Sequence, residues 1–501
     1  MSTVTKRQKL LLMILCVVVA LLIAVTAVIV TIIPGSSVNV GGTVSTTDTT
    51  VVTTTASPAT KGTGSMGGTD TTTVVGQTTV VNKTTITTKT SPTTTAPITT
   101  ADKWEQDSFV LSSFFTVGGS GDKNQYRSSL KLHKEAGLNL VELTFLSKGA
   151  LLAALDVCEE LQIPSIAQDL DNINGVGKTV PSFTESEVKA YVEELSRYRY
   201  LEGYFVWDEP TMEMFSTARR QKDMFKKYAP GKLAFSCLYP SYGVYNWSSN
   251  DFGWENSRYA QYVNNYLTTV DPEVISLNYY PFGNNGGDVS LQTHNLWRDM
   301  GLMRSKALEL DKPYWHYYQL SGNLETKETA DLTPEKAAVQ MYAGLAYGAK
   351  GLSAFATFAG LVVFDGARYV KGPNFDQLTE LNKKVMNLGN ELFDKRSVAL
   401  YHPGLSATTQ KNYFCDDLEA SDLIVSLPEG TIAGVFAGGG KTYLMLVNKD
   451  YQRSLIGTVK LKGSKTVREF RAAENIYGGG TSGSQFSVTL GKGEGKLFVL
   501  E

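Results

Sequence analysis

Between residues 104 and 395, apolar runs of strand length alternate eight times with amphipathic stretches of helical period. The runs predict strands over residues 109–116, 139–146, 164–170, 203–207, 232–239, 274–281, 313–320 and 351–358. Helical patterns lie between them, for example over residues 124–136, 184–200, 212–228, 291–310 and 334–347. Such alternation indicates βαβ units around a parallel sheet. Eight units in about 290 residues match the size of a (β/α)8 TIM barrel, which we predict over residues 103–395.

An open, doubly wound α/β sheet is the structural alternative. That fold carries a glycine-rich phosphate turn after its first strand, and residues 115–119 read FTVGG instead. After the barrel, short alternating strands separated by glycine-rich turns occur at residues 431–436, 442–448, 455–461, 486–490 and 496–500. They predict a small antiparallel β-sandwich, an accessory domain over residues 396–501.

The N-terminus carries a transmembrane pattern. Lys6, Arg7 and Lys9 precede an apolar run over residues 10–33. At about 24 residues the run is long enough to cross a bilayer, and it is longer than the apolar region of a cleaved signal peptide. We therefore expect a retained signal anchor. The basic residues predict a cytosolic tail at 1–9, with the rest of the chain extracellular or lumenal (N-in, C-out).

The segment at residues 34–102 is dominated by threonine, with serine, glycine, proline and valine as most of the remainder. Such a composition buries too little apolar surface to fold, so it predicts a disordered, O-glycosylated stalk. The sequons at Asn82 and Asn246 fit an extracytosolic glycoprotein.

Charge and cysteine content exclude several classes of function. The formal net charge of -2 gives no electrostatic reason to expect a nucleic-acid partner. The four cysteines, at positions 16, 158, 237 and 415, are too widely spaced to form a metal-ligand motif. No metal and no cofactor is therefore predicted.

The fourth predicted strand ends in Trp207, Asp208, Glu209 and Pro210. Working residues of a barrel lie at the carboxyl ends of its strands. Proline has no amide hydrogen for the ladder and suits the first turn of a following helix. Phe205, Trp207 and Glu209 share one parity along the strand, so if that side faces inward Glu209 lies over the barrel mouth.

These residues carry a resemblance to a known superfamily. The segment GYFVWDEP resembles strand four of the TIM-barrel glycoside hydrolases, in which an acidic residue, commonly followed by proline, protonates the glycosidic oxygen. The segments VISLNYYPF, KPYWHYYQL and GAKGLSAFATF look like their counterparts in poorly characterised members with a WDEP-type strand four. The resemblance covers about residues 104–395 and implies that Glu209 is the general acid.

Two positions depart from the superfamily pattern. Retaining members with this arrangement have a glutamate nucleophile at the end of strand seven, where this chain has Gln319, and Asp208 replaces a frequent asparagine. The second carboxylate is expected first at Asp169 or Asp171, and the other strand-end candidates are Glu142, Glu325 and Asp365. Asp208 has an alternative role, in which its charge raises the pKa of Glu209.

Aromatic residues concentrate near the predicted strand ends. Sugar rings pack their C–H faces on aromatic rings, so a carbohydrate cleft is expected. The predicted substrate-binding residues are Trp207, Tyr239, Tyr279, Tyr280, Trp315, Tyr317 and Gln319. Large rings also fill barrel cores, which is the competing interpretation.

The sequence therefore predicts a glycoside hydrolase that acts on an extracellular or lumenal glycan or polysaccharide. One alternative is a catalytically inactive barrel that binds carbohydrate, because Gln319 stands where a nucleophile is expected. Another is a stalked surface adhesion protein, for which the threonine-rich segment is the evidence. Glu209 itself has a second interpretation, as a cap of the helix that follows Pro210.

Overall fold

The computed structural model describes residues 103–168, 183–244, 258–283, 287–320, 332–357 and 360–501, all within one compact unit. The predicted tail, signal anchor and stalk at residues 1–102 lie outside the described residues, as do Asn82 and Asn246. Among the helices of the described ranges, none is long and apolar enough to cross a membrane.

The barrel consists of eight strands, each followed by a helix. In chain order the elements are β1 (Val110–Phe114), α1 (Lys123–Glu135), β2 (Val141–Leu143), α2 (Lys148–Leu161), β3 (Ser165–Gln168), α3 (Glu185–Leu195), β4 (Leu201–Asp208), α4 (Phe215–Tyr228), β5 (Leu233–Cys237), α5 (Arg258–Val270), β6 (Ile275–Asn278), α6 (Asn295–Leu310), β7 (Tyr314–Gln319), α7 (Pro334–Ala346), β8 (Gly351–Phe355) and α8 (Phe375–Leu392). A single 3-10 turn, Met212–Met214, precedes α4, and a short helix, Ser241–Val244, follows β5.

The eight strands close into a ring. Parallel ladders join β2, β3, β4 and β5 in that order, and β6, β7, β8 and β1 in a second set. A bridge between Leu238 and Leu277 joins β5 to β6. Between β1 and β2, the Asn139 amide donates to the Leu111 carbonyl at 3.0 Å, and Asn139 Oδ1 accepts from the Leu111 amide at 2.8 Å. The predicted (β/α)8 barrel is confirmed.

Alternation along the strands separates an inner from an outer layer. The inward side chains form an interior cluster of Phe114, Leu140, Ile166, Phe205, Leu233, Phe235, Cys237, Val274, Trp315 and Tyr317. The outward side chains pack against the helices. Strands buried on both faces read as continuous apolar runs, which explains why the strands were visible in the sequence. Each large apolar side chain buried in this way contributes about 1.5–3 kcal/mol.

Local capping signals fix where the helices begin. At the start of α3, Thr184 accepts from the Glu187 amide and Glu187 accepts from the Thr184 amide, a complete capping box. At the start of α7, Thr333 caps the helix and Pro334 occupies the first turn, where its missing amide hydrogen costs nothing. These signals start both helices within one residue of the positions predicted from the sequence.

Antiparallel strands form the rest of the described chain. A hairpin of β9 (Val362–Phe364) and β10 (Tyr369–Lys371) lies between β8 and α8. After α8 follow β11 (Arg396–Tyr401), β12 (Ile424–Ser426), β13 (Thr431–Gly438), β14 (Lys441–Asn448), β15 (Leu455–Arg471), β16 (Ile476–Tyr477), β17 (Thr481–Leu490) and β18 (Gly495–Leu500). A short helix, Ala407–Asn412, lies between β11 and β12.

The C-terminal strands form one hydrogen-bonded sheet rather than the two sheets of the expected sandwich. Their order is β11, β13, β14, β18, β15 and β12, and β16 and β17 also pair with β15. The reason is the length of β15, which shifts register between Lys460 and Lys465. Its first half pairs with β12 and its second half with β18. The predicted antiparallel character is confirmed.

This sheet packs on α7 of the barrel. Strands β13, β14 and β18 contact that helix. The closest approach is at Gly434, where a Cβ atom would lie 2.1 Å from the Ala346 carbonyl oxygen. Only glycine fits there, so the interface depends on the absence of a side chain. The C-terminal sheet therefore supports the outer helical layer beside β7.

Candidate active site

A β-bulge near the end of β4 decides which side chains reach the barrel interior. The pairing of β4 with β5 shifts register between Phe205 and Trp207. Phe205 packs inside, whereas Val206 and Trp207 both lie in the outer clusters that face the helices. The extra residue restores the inward direction at Asp208, which pairs in register with the inward-facing Cys237. The expected shared parity of Phe205 and Trp207 is wrong, and Trp207 lies outside the barrel.

Glu209 follows β4 in a left-handed backbone conformation, with φ of 49°. Its amide donates to the Cys237 carbonyl at 3.1 Å. Asn278, at the end of β6, donates from Nδ2 to Glu209 Oε1 at 3.0 Å. Residues other than glycine rarely adopt positive φ, and such strain clusters at functional sites. The turn thus directs the Glu209 carboxyl across the strand ends to β6, and only 8% of the residue is exposed.

Glu209 does not cap the following helix. The 3-10 turn at Met212–Met214 has Thr211 at its N-cap, and α4 has Met214 at its N-cap. The side-chain hydrogen bond of Glu209 instead goes to Asn278. The capping interpretation therefore has no support in the geometry.

The two carboxyls at the end of β4 both resist ionisation. Burial raises the pKa of Glu209 to about 7, although the hydrogen bond from Asn278 lowers it. Burial also raises the pKa of Asp208 well above its ordinary value, and the negative charges of Glu209 and Glu142 raise it further. Because repulsion between two like charges is reciprocal, ionisation of either carboxyl disfavours ionisation of the other. Coupled carboxyls of this kind titrate as a unit and retain a proton near neutral pH.

Asp208 has an unused acceptor inside the barrel. The residue is 7% exposed, and its Oδ1 is buried with no hydrogen-bond partner among the described residues. Burying a carboxyl oxygen without a hydrogen-bond partner costs free energy, and a water molecule or a polar ligand group can supply that partner. Asp208 is therefore placed as a second chemical group beside Glu209.

Glu142 lies deeper, enclosed at the centre of the barrel. It accepts hydrogen bonds from Ser112 Oγ at 2.7 Å, Ser353 Oγ at 2.7 Å and the Tyr317 hydroxyl at 2.5 Å. Its exposed fraction is 0%, and burial raises its pKa while the three donors lower it. A carboxyl enclosed in this way has no access to a substrate, so its effect on the site is electrostatic and passes through Asp208.

Of the remaining candidates for the second carboxylate, Asp365 is described by the structure and does not lie at the strand ends with Glu209. Asp169, Asp171 and Glu325 lie outside the described residues. Asp365 lies in the turn between β9 and β10, where its Oδ1 accepts from the amides of Ala367 and Arg368 at 2.9 Å each. Asp365 therefore stabilises a turn.

Two of the predicted substrate-binding tyrosines adjoin the β4 carboxyls. The charges of Glu209 and Asp208 add to burial in raising the pKa values of Tyr239 and Tyr280. Tyr239 is buried, and its backbone amide donates to the Tyr262 hydroxyl at 3.3 Å. Tyr280 is half-buried and donates its amide to the Tyr242 hydroxyl at 3.2 Å. Both tyrosines therefore belong to the candidate site.

Three other predicted substrate-binding residues have different positions. Trp315 is the second residue of β7, and its Nε1 donates to Gln106 Oε1 at 2.9 Å at the amino-terminal end of the barrel. Tyr317 lies inside and donates to Glu142. Tyr279 directly follows β6 at the carboxyl end of the barrel, is buried, and meets Tyr242 edge-on at 5.1 Å. The expected positions of Trp315 and Tyr317 at the mouth are wrong, because the sequence pattern gave the strand but not the depth of each side chain within it.

Gln319 lies at the end of β7 as predicted, but its side chain is occupied. Its Oε1 accepts from the Phe282 amide at 3.0 Å, and its Nε2 donates to the Gly283 carbonyl at 2.8 Å. Both ends of the amide therefore hold the loop after β6. This use explains why a glutamine suits the position where the resemblance implied a nucleophile.

A cluster of four rings, of which only Tyr280 was predicted from the sequence, lies at the same end of the barrel. Phe115 stacks on Phe145 at 4.7 Å and meets Phe355 edge-on at 5.8 Å, and Tyr280 lies 4.5 Å from Phe355. All four rings, which we call the aromatic wall, are half-buried. Positive φ at Phe115 (53°), Phe145 (57°) and Ala356 (52°) turns these strand ends sharply. Non-glycine residues give no sequence signal for such turns.

A cleft of about 880 Å³ opens at the opposite end of the barrel. Gln106, which precedes β1, and Lys350, which precedes β8, line it, so it belongs to the amino-terminal ends of the strands. Several of its charged groups have partners: Lys226 contacts Glu273 at 2.7 Å, and Lys350 Nζ donates to two backbone carbonyls. The cleft is distant from Glu209 in the fold. Across the described ranges, no group of three histidine, cysteine or acidic residues is arranged to hold a metal ion.

No protein-family model matches the sequence, and no curated protein matches it. The chain is similar in structure to solved glycoside hydrolases. One is a protein from Bacteroides fragilis, proposed to be an alpha-galactosidase, with 8% identity, 79% of each chain covered and a TM-score of 0.46. A GH30 endoxylanase from Clostridium papyrosolvens has 10% identity over 80% of this chain and 98% of that one, with a TM-score of 0.40. An alpha-amylase from Lactobacillus plantarum has 10% identity over 78% and 98%, with a TM-score of 0.42.

Proposed function

We propose that this protein hydrolyses a glycosidic bond at the carboxyl ends of its barrel strands, with Glu209 as the general acid. The observation that carries the proposal is the Glu209 carboxyl itself. It is buried at the exit of β4, held by Asn278, and has a pKa raised to about 7. A general acid works best when its pKa lies near the working pH, since it then both carries a proton and releases it.

Asp208 is the partner that the geometry favours. Hydrolysis by two carboxyls needs one protonated and one ionised group, and the Asp208–Glu209 pair retains a proton near neutral pH. The proposed reactive form of the pair has this proton on Glu209, with Asp208 ionised. In the proposed step the bond between the anomeric carbon and the glycosidic oxygen breaks, and that oxygen takes the proton of Glu209. Water adds its oxygen to the anomeric carbon and gives a proton to Asp208. Return of that proton to Glu209 restores the site.

The aromatic wall indicates what kind of ligand fits. Phe115, Phe145, Tyr280 and Phe355 present half-buried rings at the end of the barrel that carries Glu209. Sugar rings bind such surfaces through their C–H faces and leave the hydroxyls for polar groups. Tyr280 belongs to the wall, and the charge of Glu209 raises the pKa of its hydroxyl. We therefore place a sugar ring between the wall and Glu209.

We also propose an extracellular or lumenal location, tethered by residues 10–33. The support is the basic cluster before that apolar run and the sequons after it.

The experiment compares the full-length chain with Glu209→Gln on a panel of glycans and chromogenic glycosides. The substitution keeps the size of the side chain and an acceptor for Asn278, but it removes the transferable proton. Glu213→Gln is the control, because Glu213 is an exposed acid four residues further along. We expect turnover in the wild type and in the control, and none in Glu209→Gln.

One observation favours a second function, a barrel that binds carbohydrate without cleaving it. Gln319 replaces an acid at the end of β7, and both ends of its amide are engaged by the loop after β6. For this function, equal glycan binding by the wild type and Glu209→Gln is expected, with no turnover by either.

A further inference from the structure

A buried thiol lies behind the amide that holds Glu209. Cys237 ends β5 and Asn278 ends β6, and both are buried. Cys237 Sγ lies 3.0 Å from Asn278 Oδ1, and Asn278 Nδ2 lies 3.0 Å from Glu209 Oε1. Three neighbouring strands thus place a thiol, an amide and a carboxyl in one hydrogen-bonded row.

The chemistry of these groups sets the orientation of the amide. A thiol has one hydrogen to donate and is a weak acceptor, whereas the two ends of an asparagine amide are a donor and an acceptor. Donation from Cys237 to Oδ1 leaves Nδ2 facing Glu209. In the reverse orientation, Asn278 Oδ1 would face a carboxylate oxygen of Glu209, and the two acceptors would repel each other. Asn278 Nδ2 would then face the Cys237 sulfur, which is a weak acceptor. The thiol therefore favours the orientation that stabilises ionised Glu209.

We propose that Cys237 is a positioning residue, whose thiol fixes the Asn278 amide with Nδ2 on the Glu209 carboxyl. As Glu209 releases its proton, the amide is already aimed at the charge that develops. The role in catalysis rests on the proposed function of Glu209, whereas the fixed amide orientation stands on the hydrogen bonds alone.

The Cys237 thiol must be protonated to donate this hydrogen bond, and its surroundings keep it protonated. Burial raises the pKa of Cys237, and the charges of Asp208, Glu142 and Glu209 raise it further. Cys237 also adjoins the Tyr317 hydroxyl, which donates to Glu142. The titratable groups that face Glu209 itself are Asp208 on β4, Cys237 on β5, Tyr239 and Tyr242 after β5, Tyr262 on α5 and Tyr280 after β6.

The test follows the titration of Glu209 in the full-length chain without any substrate. Carbon-13 NMR of side-chain-labelled glutamate gives the titration, and the signal missing in Glu209→Gln assigns it. Asn278→Ala removes the hydrogen bond to the carboxylate, so we expect the Glu209 pKa to rise by about one pH unit. Cys237→Ala frees the amide to reverse, and we expect a rise of about half a unit. Cys237→Ser keeps a donor and is expected to titrate like the wild type.

The double variant separates positioning from a structural effect. If Cys237 acts only through Asn278, then Cys237→Ala adds nothing in the Asn278→Ala background. An unchanged titration in Cys237→Ala overturns the proposal, and so does an equal shift in both backgrounds. If Cys237→Ala fails to fold, Cys237→Val fills the space without a donor and carries the same expectation. Because no turnover is needed, a chain that cleaves no glycan yet titrates as expected loses the proposed function but keeps this inference.

Discussion

Removing the candidate acid should stabilise the protein, and only at neutral and alkaline pH. Burial raises the pKa of Glu209 from 4.5 to about 7. The folded state therefore holds the Glu209 proton more tightly than the unfolded chain does. An acid with a raised pKa contributes stability that is complete below pH 4.5 and is lost as pH rises through about 7. Glu209→Gln has no ionisable group at this position, so its stability does not fall in this way as pH rises.

The size of the effect follows from the same two values. A difference of about 2.5 pH units, at about 1.4 kcal/mol per unit, gives roughly 3–4 kcal/mol for ionising Glu209 inside the fold. Removing its charge also lowers the pKa of Asp208, which acts in the same direction. At pH 8 we expect Glu209→Gln to unfold at a melting temperature a few degrees above that of the wild type. At pH 4.5 the two should melt together.

Calorimetric melts across that pH range measure the difference directly. Glu213→Gln is the matched control, because an exposed acid has no burial penalty to relieve. A difference between Glu209→Gln and the wild type that stays constant from pH 4.5 to 8 would refute the reasoning. So would a variant that becomes less stable than the wild type as pH rises.

Three further predictions address the wall, the second carboxyl and the C-terminal interface. Phe145→Ala in the Glu209→Gln background should weaken glycan binding about tenfold by calorimetric titration, because it removes one stacking ring. Asp208→Asn should lower kcat at least a hundredfold with little change in KM, and undiminished turnover would exclude it as the base. Gly434→Ala should cost about 1–3 kcal/mol in thermal unfolding, because its Cβ meets an α7 carbonyl, whereas Gly479→Ala, which has open space around it, should be neutral.

The sequence predicted the barrel because its strands are buried on both faces. A strand enclosed between an interior and a helical layer is apolar along its whole length, so all eight appeared as continuous runs. Strand ends were less visible. The run over residues 139–146 contains β2 only at Val141–Leu143. Asn139 pairs with β1 partly through its side chain, and Phe145 has already turned into the left-handed region.

The candidate site was predictable in part. The rule that working residues of a barrel lie at the carboxyl ends of its strands pointed to the end of β4, and Glu209 directly follows that strand. The orientation of Trp207 was not predictable, because the bulge falls between apolar residues that suit either face. Trp315 and Tyr317 share the inward side of β7, yet one binds Gln106 at the floor and the other binds Glu142 at the centre. Periodicity gives the face of a strand, whereas depth depends on the stagger of all eight strands.

The central claim is that Glu209 transfers a proton to a glycosidic oxygen. The most direct test is the turnover of a glycan and chromogenic glycoside panel by the full-length wild type, Glu209→Gln and Glu213→Gln, with the fold of each verified by melting temperature. We expect the wild type and Glu213→Gln to cleave the same substrates and Glu209→Gln to cleave none while remaining folded. Equal turnover by folded Glu209→Gln would contradict the assignment of the acid.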